Sequence, residues 1–465
     1  MLKDITMKNY INTLILFLFT GTLFCCQNDD DATTPASLYE QYGTPYANVP
    51  VSEDASIYQV NIRAFSEAGN LQGVTDRLDY IQSLGVNVLY LMPIYPVGVE
   101  RSAGGLGSPY AVQDYKAVNP EFGTLEDLRT LVSAAHEKGM AVVLDFVANH
   151  TAWDNAWITE HPEYYQQDAD GNIIVPPGTG WNDVAQLNYD NQELRASVID
   201  ALSYWLYTAN VDGYRMDAAD YVPYTFWNEA ITALEKIKSD KNLLMLAEGG
   251  RTDHFKAGFD YTFGFDFFGT MERVFEGEPV TLLQDSNAKI YADVYDDSKR
   301  VVKYTTNHDV NLSDGTPMEL FGGVKGSVAA FVVDAYMRSV PMIYNGQAIG
   351  FNERLEFFTK DPIDWTNVNE ELLAEYKQII AFRNESTAIR RGKLASYSSD
   401  DIAAFTMTAG EEQVLVLSNL RNKSVKYILP AGFQNSTWTN AFTGESVSLN
   451  TELNLESYKY LILTK

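Results

Sequence analysis

The chain has 465 residues, 46% of them apolar, and a formal net charge of −28 at pH 7. The apolar share suits a globular protein with one large domain and a smaller one, and the acidic balance excludes a nucleic-acid partner, whose phosphates demand a basic face. The two cysteines, Cys25 and Cys26, are neighbours near the N-terminus, which excludes a disulfide scaffold.

Lys3 and Lys8 precede an apolar run over 11–24 that ends in "TLFCC", followed by Asp29, Asp30 and Asp31. The run is short for a membrane span and has the layout of a signal peptide. It resembles a bacterial lipoprotein signal over residues 1–26. In that reading Cys26 carries the lipid, with Cys25 or an uncleaved anchor helix as alternatives. The acidic residues after it resemble surface-export signals of Bacteroidetes lipoproteins. The resemblance implies a cell-surface or periplasmic lipoprotein, held at the outer membrane by its lipid. Residues 27–50 are polar and are expected to form a flexible tether.

From Ser56 strands and helices alternate. "SIYQVNIRAF" is a predicted strand, "VTDRLDYIQSLG" an amphipathic helix, and "VNVLYLMP" an apolar strand of the parallel kind. "TLEDLRTLVSAAHEKG" is a helix with Thr124 as cap and Gly139 as stop. Strand "MAVVLDFVANH" follows, then a long connection over 151–190 that reads as an inserted subdomain. Next come helix "NQELRASVIDALSYWLYTAN", strand "VDGYRMDAA", helix "YTFWNEAITALEKIKSD" and strand "NLLMLAEGG". A sixth strand is placed around "KAGFDYTFGF". Strand "RVVKYTTNHD", helix "GSVAAFVVDAYMRSV", strand "PMIYNG" and helix "EELLAEYKQIIAFRNES" complete the series. The fold class is therefore α/β, a (β/α)8 barrel over 51–385 with a small insertion after its third strand. "IAAFTMTAG", "EQVLVLSNL", "KSVKYILP" and "KYLILTK" make 386–465 a C-terminal antiparallel β-sandwich.

Several strands that are otherwise apolar end in charge. Asp145, Asn149 and His150 close the third, Arg215 and Asp217 the fourth, Glu248 the fifth, His308 and Asp309 the seventh. Active sites of such barrels lie at these strand ends, and unpaired charges there would otherwise destabilise the fold. Several carboxylates around one cleft suit glycoside cleavage. One carboxylate attacks or activates water, an acid protonates the leaving oxygen, and negative charge stabilises an oxocarbenium-like transition state.

"DFVANH", "GYRMDAA", "AEGG" and "TTNHD" resemble, in order and spacing, the four motifs of the α-amylase family, glycoside hydrolase family 13. The resemblance implies Asp217 as nucleophile, Glu248 as general acid and base, and Asp309 as the carboxylate that binds sugar hydroxyls. It implies that Arg215 keeps Asp217 ionised and that His150 and His308 donate to the sugar being cleaved. Tyr110, in "GSPYAVQDY", would stack on that sugar, and Asp145 is expected near Arg215. The implied function is retaining hydrolysis of internal α-1,4 bonds of starch and maltooligosaccharides by a monomer with no organic cofactor. An α-glucosidase, a cyclomaltodextrinase, a trehalose synthase-like transglycosylase and a non-catalytic starch-binding protein are the alternatives.

The chain also departs from the pattern. Typical α-amylases carry Lys-His after the nucleophile segment, where this chain has Asp220-Tyr221. Asn149 and Asp190 match two side-chain ligands of the family's structural calcium, whose oxygen-ligand chemistry they suit. Bonding of the two to each other or to backbone is the alternative. "VAQLNYD", Val184 to Asp190, falls between patterns of α-amylases and of oligo-1,6-glucosidases or cyclomaltodextrinases. Trp153, Trp157 and Trp181 in the insertion are expected to be core or sugar platforms. "DADGN", Asp168 to Asn172, reads as a turn.

Overall fold

The structure, a computed structural model, describes residues 38–238 and 242–465. The leader, with Cys25 and the expected lipid site Cys26, lies outside the described residues. No helix among the described residues is long and apolar enough to cross a membrane.

Eight parallel strands close into a barrel. They are β1 (Ile57–Val60), β2 (Val88–Leu91), β3 (Ala141–Val147), β6 (Gly213–Asp217), β7 (Leu244–Ala247), β8 (Tyr261–Phe263), β9 (Arg300–Lys303) and β10 (Val340–Tyr344). The two short strands β4 (His150–Ala152) and β5 (Val184–Gln186) pair antiparallel across the insertion. Each barrel strand is buried along its length, as strands covered on both faces must be. Thr124 and Asp127 form the capping box of the helix Leu125–Glu137, and Gly139 (φ 81°) turns the chain out of it.

Several expected boundaries move. The first strand stops at Val60, and Ile62–Phe65 is a helical turn. The Asn345 side chain takes both backbone groups of Asn61, accepting from its N at 3.1 Å and donating to its O at 2.8 Å, so the ladder cannot continue. The first amphipathic helix is two, Leu71–Thr75 and Leu78–Ser83. The sixth strand shrinks to Tyr261–Phe263 because 253–257 is a helix that ends at Gly258 (φ 114°). Two helices, Phe265–Phe275 and Thr281–Tyr291, follow it without having been expected.

The expected tether is corrected over its described part. Tyr42 N donates to Tyr207 O at 2.7 Å and Asn210 Nδ2 donates to Thr44 O at 2.8 Å. Tyr46 stacks on His136 with ring centres 4.5 Å apart, and Val49 is buried. The tyrosines bring enough apolar area to hold this polar stretch against the barrel.

The C-terminal strands are β11 (Lys393–Ser396), β12 (Ile402–Ala409), β13 (Glu412–Asn419), β14 (Val425–Ile428), β15 (Ser436–Asn440), β16 (Ser446–Leu449), β17 (Glu452–Leu455) and β18 (Tyr460–Thr464). Six form one sheet in the order β11-β12-β13-β18-β15-β16, and β14 pairs with β17 in a second. Side chains on β12 and β13 alternate between two cores. Ile402, Ala404, Leu415 and Leu417 face the sandwich interior. Ala403, Phe405, Met407, Val414 and Val416 join the barrel's core. Between sheet and barrel lies the helix Gly323–Tyr336, buried without a break from Gly326 onward. Ser418 Oγ donates to its Ala329 O at 3.0 Å.

Candidate active site

The register of β3 on β6 sets Asp145 beside Arg215 and Val147 beside Asp217. Arg215 and Asp217, two apart, face the same side. The guanidinium thus meets carboxylates from its own strand, from β3 and from the turn just after β7. Its Nη1 donates to Asp145 Oδ1 at 2.6 Å and to Asp217 Oδ1 at 2.9 Å, and its Nη2 lies 2.5 Å from Glu248 Oε1. Arg215 and Asp145 are fully buried (0% exposed). Asp145 also accepts from Tyr90 Oη at 2.7 Å and Tyr110 Oη at 3.1 Å.

One cation facing three carboxylates cannot neutralise them all. Burial pushes Asp145 up to about 6 despite Arg215 and Tyr90. Burial, then the neighbouring Glu248, pushes Asp217 well above the usual carboxylate range against the pull of Arg215. Arg215 is therefore a shared counter-ion, not one dedicated to Asp217 as expected. Burial and their mutual repulsion favour keeping a proton among these carboxylates.

A chain of hydrogen bonds fixes the other side of the cleft. Gln59 Nε2 donates to His308 Nδ1 at 2.7 Å, so His308 carries its proton on Nε2, 2.6 Å from Tyr110 Oη. Tyr110 Oη in turn reaches Asp145. Burial, aided by Arg215, lowers His308 to about 3, and burial lowers His150 to about 4. Both imidazoles are neutral donors at neutral pH. Asn149 Nδ2 donates to His150 Nδ1 at 3.2 Å, which leaves the His150 proton on Nε2. Asp309 sits at the rim, its side chain 48% exposed and its Oδ1 3.3 Å from His308 Nε2.

Asp217, Glu248, Asp309, His150 and His308 line one pocket of about 370 Å³, together with Tyr110, Trp181, Asp183 and Phe357. Trp181 is exposed and packs edge-on to His150 at 5.5 Å. Trp153 is core instead, covered by Arg101 at 3.6 Å, and Trp157 packs on Tyr115 at 5.3 Å. Asp168 Oδ1 accepts from Asp170 N and Asn172 N, both at 2.9 Å, so "DADGN" is a turn.

The structure brings Asp217, Glu248, Asp309, Arg215, Tyr110, His150 and His308 together. Sequence reasoning missed Gln59, Phe357 and the surroundings of Asp220. A polar residue inside the apolar run of β1 was the available signal for Gln59. Asp220 accepts from Gly250 N at 3.0 Å, Arg251 N at 3.3 Å and His254 Nε2 at 2.7 Å. Burial works against its charge, but the hydrogen bonds from His254 and Gly250 outweigh it and hold the carboxyl below its usual range.

The residues expected for calcium do not fit it. Gln186 Nε2 lies among three oxygens, 3.1 Å from Asn149 O, 3.0 Å from Asn149 Oδ1 and 3.1 Å from Leu187 O. A calcium ion requires oxygens around it, and here an N–H donor group occupies their focus. Asp190 is exposed. Among the described residues no group of three or more His, Cys, Asp or Glu is arranged to hold a metal. EDTA is expected to leave the melting temperature unchanged by differential scanning fluorimetry. A fall that calcium restores would overturn this.

Comparison with known proteins agrees with the architecture. A model of the α-amylase catalytic domain matches residues 33–175 and 179–263, and one of the C-terminal domain of the α-amylase SusG matches 402–462. Alpha-amylase 2 of Dictyoglomus thermophilum is 27% identical over 458 residues, covering 88% of this chain and 76% of that protein. A cyclomaltodextrinase of Geobacillus thermopakistaniensis is 26% identical, covering 83% and 68%. The crystal structure of an α-amylase from Lactobacillus plantarum superposes with a TM-score of 0.80 at 29% identity, covering 89% of this chain and 99% of that one. With this barrel, this C-terminal sheet and these matches, the chain belongs to the α-amylase family, glycoside hydrolase family 13, and is an α-amylase-type glycoside hydrolase.

Proposed function

We propose that the protein hydrolyses internal α-1,4 bonds of starch and maltooligosaccharides with retention at the anomeric carbon. The observation that carries this is the grip of one guanidinium on both Asp217 and Glu248. Carboxylates held on one cation are close, as in retaining enzymes at about 5–5.5 Å, with no room for a water between base and sugar. Asp217 attacks C1 as Glu248 gives its proton to the leaving oxygen. Glu248 then takes a proton from water as the water oxygen displaces Asp217. His150 and His308, neutral and protonated on Nε2, donate to hydroxyls of the sugar being cleaved. Tyr110 offers its ring to that sugar, and Asp309 accepts from its hydroxyls at the rim.

A second reading, a cyclomaltodextrinase, draws support from the relative of that name and from "VAQLNYD", Val184 to Asp190, whose pattern falls between those of α-amylases and cyclomaltodextrinases. A product time course on amylose, pullulan and β-cyclodextrin separates the two. A fast fall in iodine staining with mixed maltooligosaccharides supports the first reading. Preference for the cyclic substrate supports the second. Binding of starch without products refutes both.

A further inference from the structure

Asp220 is not among the residues that line the sugar cleft. Its three donors, Gly250 N, Arg251 N and His254 Nε2, all belong to the segment that leaves β7 just after Glu248. The backbone of the same turn completes the join. Arg251 Nη1 donates to Asp220 O at 2.8 Å, and Ala219 N donates to Glu248 O at 3.0 Å. Ala218 N donates to Glu248 Oε2 at 2.7 Å from a left-handed backbone (φ 46°), a conformation that a non-glycine residue holds only when its surroundings enforce it. The join leaves no slack. A Cβ on Gly249 would lie 2.3 Å from Asp220 Oδ1 and 2.7 Å from His254 Nε2. His254 is itself buried, edge-on to Phe259 at 5.3 Å.

We propose that Asp220 is a positioning residue for the acid–base step: by latching the segment after Glu248 to the turn after Asp217, it sets the Glu248 carboxyl against the leaving glycosidic oxygen. This rests on the reading of Glu248 as the general acid. In glycosylation the Asp217 oxygen bonds to C1, the C1–O bond to the leaving sugar breaks, and the Glu248 proton goes to that oxygen. Because kcat/KM covers the steps up to glycosylation, where this proton is needed, it separates the acid role of Glu248 from its later role as base for water. A misplacement of about 1 Å costs about 100-fold in rate.

The leaving group makes the test specific. The sugar released from maltoheptaose departs as an alkoxide unless its bridging oxygen is protonated, whereas the fluoride of α-maltosyl fluoride leaves without a proton. Asp220→Ala is expected to lower kcat/KM on maltoheptaose about 100-fold and on α-maltosyl fluoride less than about threefold. Asp220→Asn keeps one acceptor oxygen, which can serve Arg251 N and His254 Nε2 but not Gly250 N as well, and is expected to recover part of the loss. Gly249→Ala strains the same join from the other side and should show the same selectivity, which keeps the idea testable if Asp220→Ala does not fold. Equal losses on both substrates would make Asp220 merely structural, since a slack turn would displace Asp217 as well, and would overturn the proposal. Glu248→Gln is the control. If its kcat/KM too falls equally on both substrates, the assignment of the acid fails. If it is selective and the Asp220 and Gly249 variants are not, the latch alone fails.

Discussion

Asp217→Asn is expected to lower kcat/KM on maltoheptaose by about five orders of magnitude, about 7 kcal/mol of transition-state stabilisation, with the protein melting no lower than the wild type. The first half follows from the proposed covalent step, because a carboxamide oxygen is a poor nucleophile for C1. The second half follows from the site. Asparagine keeps an oxygen to accept from Arg215 Nη1, now at 2.9 Å from Asp217 Oδ1. It also removes a group whose charged form is disfavoured by burial and by Glu248. Steady-state kinetics with a melting curve on the same preparation checks both. Activity within tenfold of wild type would sink the assignment of Asp217, and loss of fold would sink the account of its charge.

Arg215→Leu is expected to cost about 3–5 kcal/mol of stability, because it strands buried carboxylates that the guanidinium now holds. That is a large part of the roughly 5–15 kcal/mol available to a folded protein. The loss should depend on pH in a defined sense. A carboxyl raised in the folded state favours folding while it is protonated, and that stability is lost as pH rises through its folded value. For Asp145 in the wild type the window runs from the ordinary value of 3.8 to about 6. Without Arg215 the pull that opposes burial at Asp145 and Asp217 is gone, so the window extends upward. The gap in melting temperature between variant and wild type should therefore widen from pH 5 to pH 8. A constant gap would show that Arg215 acts through packing alone.

The barrel was legible because its strands are short apolar runs that end in charge, and helices with capping signals such as Thr124 separate them. The residues at those ends were legible for the same reason. Asp145, Arg215 and Asp217 stand out in strands that packing alone would fill with aliphatic side chains. What stayed hidden depends on contacts remote in sequence. Asp220 meets His254 only across two βα turns, and no local pattern marks the pair. The helix Phe265–Phe275 was obscured by the aromatic run before it, which read as strand. In the C-terminal sheets, Ser436–Asn440 has Trp438 as its one apolar residue and so lacks the alternation that marks a strand, while Ser446–Leu449 alternates over only four residues. The described part of the tether was misjudged from average polarity, which conceals Tyr42 and Tyr46.

The alternation along β12 and β13 bears on how interchangeable the parts of this molecule are. Neighbouring residues on one strand belong to different interiors: Ala404 and Leu415 to the sandwich, Phe405 and Val416 to the barrel. A module joined by a linker can be exchanged by cutting the linker. Here the fit is written into every second residue of two strands and into the helix Gly323–Tyr336 that they cover. A foreign C-terminal domain would have to reproduce that half-pattern to seat on this barrel, and a substitution meant to tune the sandwich has the barrel's wall one residue away.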